Sequence, residues 1–356
     1  MMHWILLPFS IIYGIVVFIR NKLFDTGWIK SKSFDIPVIN IGNISVGGTG
    51  KTPHTEYLIS ILNKYKIAVV SRGYKRKTKG FVEASTNSKV TDVGDEPLQI
   101  KQKFSNITVV VDEKRVHAVE NLLNKQNKPD VILLDDAYQH RYIKPGLNIL
   151  LVDYNRPIFK DFILPVGRLR EPAHNSKRAD IIIFTKCPDS LTPIDFNLLK
   201  KEMHIFPYQK VFFTTFKYGN IIPIFNEDLK IISTENLSGK DILVVSGIAN
   251  PKPLYKKLLE TDASITMLQF SDHHEFTKND IKKIIADFNQ IKSDNKILLC
   301  TEKDAVRFKT NNISNELIEL PFYYLPIEVT FLNNQEKEFA DTINKYMSRY
   351  KLKANL

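Results

Sequence analysis

Short aliphatic runs recur through the first half of the chain, each followed by a stretch whose apolar positions fall three and four residues apart. DIPVINIGNIS carries the first run, over about residues 36–41, and IAVVS (67–71), ITVVVD (107–112), VILLDD (131–136), NILLVDY (148–154) and DIIIFTK (180–186) follow. Between them TPHTEYLISILNKY places Tyr57, Leu58, Ile61 and Leu62 on one stripe, and helical spacing returns over 96–104 and 116–123. Strands apolar on both faces and separated by helices predict an α/β fold with a mostly parallel sheet covered on both sides. A less regular group comes next: VFFTTF (211–216), the turn KYGN, LVVSGIANP (243–251) with a helix to about 259, ITMLQFSDHH (265–274), a helix across 278–289, and KILLCTEKDAVRF. With turn signals over 205–235, the chain divides into a larger core at 23–215 and a smaller α/β domain at 216–350. The final EFADTINKYMSRYKLKANL reads as a helix with a basic, frayed end, able to return to the core.

The N-terminus breaks this alternation. WILLPFSIIYGIVVFIR holds sixteen uncharged residues from Trp4 to Ile19, about 24 Å of helix at ~1.5 Å per residue, against a hydrocarbon layer of about 30 Å. Met1 to His3 would lengthen it, and no small-residue cleavage site follows that would make it a secretory signal. The expectation is a membrane-associated helix over 1–22, spanning or lying on the bilayer, with a buried core helix as the alternative. Arg20, Lys22, Lys30 and Lys32, against Asp25 alone, hold the following chain on the cytoplasmic side.

Composition adds less. At 356 residues, 43% hydrophobic and 25% charged, the chain can bury a full core. Its two cysteines, Cys187 and Cys300, have no metal-ligand or disulfide spacing and read as buried thiols in a reducing compartment. The net charge of +11 suits nucleic acid, an anionic membrane or a phosphorylated substrate. No nucleic-acid-binding signature accompanies it, and the clearest basic run, SRGYKRKTKG (71–80), is either a solvated loop or an anion-facing one.

The densest chemistry lies in GNISVGGTGKTP (42–53). The phosphate-loop spacing G-x-x-x-x-G-K-[ST] would place glycine where this chain has Ser45. The segment nevertheless follows a buried strand and opens a helix, with Pro53 just inside it. Ser45, Val46, Gly47, Gly48, Thr49, Gly50, Lys51 and Thr52 are therefore expected to cradle a nucleotide's phosphates, Lys51 reaching the terminal ones and Thr52 a magnesium ion; an ordinary strand-to-helix turn is the bland reading. Asp135 and Asp136, ending VILLDD, supply carboxylates where such a metal needs them. Neither TKCPD (185–189) nor TEKD (301–304) matches the guanine-reading N-K-x-D, which leans towards ATP. VGDEP (Asp95, Glu96), GRLREP (Arg168, Arg170, Glu171) and SDHHEF (Asp272, His273, His274) complete the inventory of a kinase acting on an alcohol.

Taken in order, GNISVGGTGKTP, SRGY, VGDEP, LDDAYQHR, the REP of GRLREP, VSGIANP, DHH and TEKDAVRF resemble the tetraacyldisaccharide 4'-kinase family over nearly the whole chain. The resemblance implies a P-loop nucleoside triphosphate hydrolase-like core and a smaller second α/β domain. It also implies an N-terminal membrane helix and transfer of the ATP γ-phosphate to the 4'-hydroxyl of a lipid A disaccharide 1-phosphate. It implies ATP and Mg2+ as cofactors and work at the cytoplasmic face of the bacterial inner membrane on an anionic acylated disaccharide, with neither nucleic acid nor an obligate protein partner. By motif match Lys51 and Thr52 hold phosphate and magnesium, Asp135 and Asp136 form the acidic strand end, and Glu171 contributes near metal and nucleotide. Asp95 is the base that accepts the sugar hydroxyl proton, assisted by a histidine of DHH, His273 before His274. Ala137 and Tyr138 stand where many relatives have glycine and phenylalanine, a change of loop shape. The competing classes are a P-loop switch or assembly factor, which needs a protein-facing surface, and a membrane scaffold, which leaves Lys51, Thr52 and LDD unexplained.

Overall fold

In the computed structural model, which describes residues 5–226, 228–310 and 317–354, the aliphatic runs become the centre of one large sheet. After helix α1 (Leu7–Asp25) come β1 (Val38–Gly42), α2 (Lys51–Ile61), β2 (Ile67–Ser71), β3 (Val82–Glu83), α3 (Val90–Val93), α4 (Asp95–Lys103), β4 (Thr108–Val111), α5 (Arg115–Leu123), β5 (Val131–Asp135), β6 (Leu147–Asp153), β7 (Ile181–Thr185), α6 (Pro193–Glu202) and β8 (Lys210–Tyr218). Side by side they run β8-β7-β6-β1-β5-β2-β4, all parallel, with β3 antiparallel on one edge. Side chains from both faces are buried: Ile39, Ile41, Leu133 and Ile149 in one apolar cluster, Val38, Ile132 and Leu134 in another. That two-sided burial is why these strands lack alternation in sequence.

A second sheet follows, from β9 (Ile222–Pro223), β10 (Asp241–Ser246), α7 (Lys252–Leu259), β11 (Ser264–Gln269), α8 (Lys278–Gln290), β12 (Lys296–Thr301), α9 (Glu302–Thr310) and β13 (Phe322–Leu325), in the order β11-β10-β12-β13-β9, parallel except for β9 at its edge. The return is abrupt. β14 (Ile327–Phe331) lies antiparallel to β8 in the first sheet, and α10 (Glu336–Ala354) packs Phe339, Ile343, Tyr346 and Met347 into that sheet's core. Pro326 separates the two sheets' strands: having no N–H, it cannot continue a ladder on both sides, and its carbonyl accepts the N–H of Gly219 where the chain leaves the first sheet. β8 thus runs across the 215/216 division drawn from sequence, and 327–350 belongs with the first sheet.

α1 is laid along the body, not projected from it. Ser10 Oγ donates to the Ile163 carbonyl (2.8 Å), Tyr13 to that of Arg170, Arg20 to that of Gln139, Asn21 Nδ2 to Glu171 Oε2 (3.0 Å), and Arg141 reaches back to Asn21 and Asp25. The other face, with Phe9, Ile12, Val16 and Ile19, is exposed. Met1 to Trp4 lie outside the described residues, as do the last two of the basic C-terminal end.

Candidate active site

The phosphate loop sits at the carboxyl edge of β1, where α2 begins. Its left-handed positions are Gly47 (φ 108°) and Gly50 (φ 85°), while Ser45 pairs in a β-bridge with Leu169. Serine is therefore tolerated at position 45, because the positive φ falls two residues later. The loop is held from several sides. Thr185 Oγ1 donates to the Thr49 carbonyl (2.9 Å), Lys186 Nζ to the Gly48 carbonyl and Asp153 Oδ2, and Asn43 Nδ2 to Thr49 Oγ1 (2.9 Å). The Val46 N–H bonds to the Arg168 carbonyl (2.8 Å). His54 spans Gly50 O (2.7 Å) and Thr214 Oγ1 (3.0 Å), and burial lowers its pKa to about 4, so it holds these groups as a neutral ring.

Lys51 leads α2 with its ammonium 3.7 Å from Asp136 Oδ2, and Arg170 Nη1 is 3.4 Å from the same carboxylate. Asp136 has a left-handed backbone at φ 51°, whereas buried Asp135 reaches α2 and the end of β2 and accepts long hydroxyl bonds from Thr55 (3.4 Å) and Ser71 (3.3 Å). Burial pushes Asp135 up to about 7, with the Glu96 and Asp136 charges adding to it. Thr52 lies one helical turn before Thr55, on the same side of α2. A buried carboxylate with spare acceptor capacity beside a helix N-terminal hydroxyl is a donor set suited to a hard divalent cation. Glu171 is placed differently: its Oε2 accepts from Asn21, Asn175 (2.8 Å) and Arg178 (2.7 Å) at the base of α1, and only Oε1 is without a partner.

Asp95 begins α4, and the second sheet closes on it. His273 Nδ1 lies 2.8 Å from Asp95 Oδ2, Arg307 Nη2 2.5 Å and Lys303 Nζ 3.7 Å from the same oxygen, while Oδ1 accepts the Glu96 N–H. Burial alone would raise the Asp95 pKa; the His273 hydrogen bond and the Lys303 and Arg307 charges outweigh it and hold the carboxyl far below the usual range. Lys303 also contacts His273 Nε2 and Glu96 Oε1, both at 3.2 Å. His273 is turned into place at φ 57° and meets Tyr74 edge-on; His274 stacks on Phe270 and bonds Asp280 instead. Arg307 and Lys303 were not singled out from the sequence. The signal was TEKDAVRF, where a spacing of four puts both cations on one helix face. In the basic run, Arg76 is consumed by Glu113 and the carbonyls of Val111 and Gly80, while Arg72, Lys75, Lys77 and Lys79 are exposed.

The profile of the family Tetraacyldisaccharide-1-P 4'-kinase matches residues 2–348. The tetraacyldisaccharide 4'-kinase of Phocaeicola vulgatus is 49% identical over 353 residues, covering 98% of this chain and 96% of that protein. That of Flavobacterium johnsoniae is 45% identical, with 96% of each covered. A crystal structure of LpxK from Aquifex aeolicus in complex with ATP is 27% identical and superposes with a TM-score of 0.76, covering 98% of this chain and 100% of the other. With the fold, the phosphate loop and these relatives in agreement, the chain belongs to the tetraacyldisaccharide 4'-kinase family.

Proposed function

We propose a division of labour among the residues of this kinase, whose reaction is ATP-dependent transfer of a phosphate to the 4'-hydroxyl of tetraacyldisaccharide 1-phosphate, giving lipid IVA. The amides of residues 45–52 and Lys51 hold the phosphates. Thr52, Asp135 and Asp136 would hold magnesium, whose positive charge would offset that of the terminal phosphates; Glu171 has one oxygen left for that role. Asp95 and His273 act as a pair on the hydroxyl proton. The observation that carries this is the 2.8 Å contact between them, joining the two sheets beside Glu96, whose charge is felt by Asp135. A carboxylate so well stabilised is a weak base, yet phosphoryl transfer through a loose transition state leaves the acceptor proton in place until late and asks mainly for alignment.

The test is transfer of labelled phosphate from ATP to membrane-presented disaccharide 1-phosphate. Asp95→Asn is expected to lose turnover while ATP still raises the melting temperature; unchanged turnover would reject the assignment. ATP hydrolysis stimulated by a protein partner, with no phosphate on lipid, would favour a switch instead.

The bonding of α1 supports an in-plane position. From Ser10 to Phe24 it is attached to the kinase body, about 22 Å of axis at ~1.5 Å per residue. A helix fastened over that length to a body on one side of the bilayer rests in the interface with its apolar face in lipid. On this reading the enzyme works from the cytoplasmic face of the inner membrane, where the acyl chains of its substrate lie.

A further inference from the structure

Three exposed aromatic side chains stand beside α1 on segments outside it. Phe162 is 67% exposed, Trp28 85% and Tyr142 48%. Phe162 is fixed against the first half of the helix. The next residue, Ile163, gives its carbonyl to Ser10 and brings its side chain within 3.5 Å of where a Cβ on Gly14 would lie. Its loop is tied by the Asp161 carboxylate, which accepts the N–H groups of Phe162 (2.8 Å) and Arg168 (3.2 Å), and by the Leu169 N–H on the Phe162 carbonyl (2.9 Å). Trp28 stands just past the other end, where the Ile29 N–H bonds back to Leu23 (3.0 Å), and Tyr142 packs edge-on against Phe24 in the last turn.

A phenylalanine held in water by an ordered loop forgoes burial that fold packing could have given it. Single exposed apolar residues are ordinary; these stand on segments bonded to a helix that itself exposes Phe9, Ile12, Val16 and Ile19. The surrounding charge suits an anionic surface. Arg20, Lys22, Lys30 and Lys160 lie along the same segments, Asp25 is paired with Arg141, and Asp161 is engaged within its loop. Aromatic side chains flanking an apolar element are what the boundary between lipid headgroups and acyl chains accommodates.

We propose that the membrane-contacting surface extends beyond α1, with Phe162 as an anchor beside its first half and Trp28 as an anchor at its end, both inserting into an anionic phospholipid bilayer. The loop carrying Phe162 runs on to Arg168, whose carbonyl holds Val46 of the phosphate loop, so this contact sets the height of the nucleotide site above the lipid. The inference rests on α1 lying in the interface.

The experiment attaches an environment-sensitive fluorophore to single cysteines in the full chain: Ile12→Cys on α1, Trp28→Cys, Phe162→Cys, and Leu259→Cys at the end of α7 as a reference. Cys187 and Cys300 are buried and stay unlabelled. With phosphatidylethanolamine–phosphatidylglycerol vesicles, labels at 12, 28 and 162 are expected to brighten several-fold and shift to the blue, and the label at 259 to stay unchanged. A response at 12 with silence at either 28 or 162 overturns the inference and leaves the in-plane helix standing. Silence at all three overturns both. As a second measurement, Phe162→Asp should weaken co-sedimentation with the vesicles about tenfold, the order expected for one buried aromatic ring, while ATP still raises the melting temperature; unchanged co-sedimentation overturns the role of Phe162.

Discussion

Replacing Arg307 by glutamine should destabilise the protein at neutral pH by weakening the ionised form of Asp95. Arg307 is almost completely buried and binds two carboxylates, Asp95 at 2.5 Å and Asp304 at 2.7 Å, along with the Gly247 carbonyl. Asp95 faces His273, Asp272 behind it, Lys303 and Arg307 across the gap, and Glu96 on its own helix; Arg307 is the cation closest to it. An opposite charge at such a distance typically lowers a carboxyl by about 1–3 pKa units. Removing it therefore returns the Asp95 pKa towards the ordinary range by about that much, a loss of roughly 1.4–4 kcal/mol of preference for the ionised form. The sign follows: a depressed carboxyl contributes stability present above its unfolded pKa and lost as pH falls through the folded one, so the variant loses that contribution at neutral pH. Stranding buried Asp304 costs a further amount on the order of 3–5 kcal/mol. The assay is urea unfolding of wild type and variant at pH 7. Arg307→Lys, which keeps a charge, should recover most of the lost stability. An Arg307→Gln protein as stable as wild type at pH 7 would refute the reasoning, because the cation would then have no part in keeping Asp95 ionised.

Three further outcomes follow from the same geometry. Gly50→Ala forces an L-residue to φ 85° and puts a Cβ 2.4 Å from the Phe216 ring; the left-handed conformation alone costs about 1–2 kcal/mol, so the melting-temperature rise with ATP should shrink or vanish. Asp135→Asn removes a carboxylate that burial pushes up to about 7; because ionising it opposes folding above the ordinary carboxylate value, the variant should be more stable than wild type by roughly 2–4 kcal/mol at pH 8, equal to it at pH 4, and inactive with magnesium, as urea unfolding and turnover would report. Glu171→Ala leaves Arg178 and Asn21 without their shared oxygen; thermal unfolding should show a loss on the order of 3–5 kcal/mol, and limited proteolysis should release α1 sooner.

Strands β1, β2, β4, β5, β6 and β7 of the first sheet could be read from sequence because each is buried almost throughout and so writes an aliphatic run. β13 and β14 could not: FYYLPIEVTF is one continuous β-rich stretch, and only tertiary structure assigns its halves to different sheets around Pro326. The phosphate loop was legible because its chemistry is local, eight consecutive residues. The Asp95 cluster was legible only in pieces. Asp95 and Arg307 are 212 positions apart, and no periodicity links them. Adjacent His273 and His274 are equivalent as sequence; what separates them is a left-handed backbone turn at one and an aromatic stack at the other. Glu171 stands next to Arg170, which reaches Asp136, yet its own bonds go to α1, a partner that motif spacing does not reveal.

All three groups that surround Asp95 Oδ2 come from the second sheet's segments: His273 after β11, Lys303 and Arg307 from α9. Asp95 itself belongs to α4 of the first. The Asp95–His273 pair, proposed above to act on the hydroxyl proton, therefore exists only while the two sheets are apposed, and the connections that appose them are the crossings at Gly219 and Pro326. A second link lies farther along α4, where Lys103 bonds both Glu302 of α9 (2.8 Å) and Glu56 of α2 (2.7 Å), the helix that begins at the phosphate loop. The proposed nucleotide contacts at the start of α2 and the proposed base at the start of α4 are in this way referred to the same helix, α9. A kinase that must avoid spending ATP on water has a physical reason for such an arrangement. With the second sheet and α9 displaced together, Asp95 would lose His273 and its cations at once, leaving the phosphate loop intact and the acceptor side unassembled.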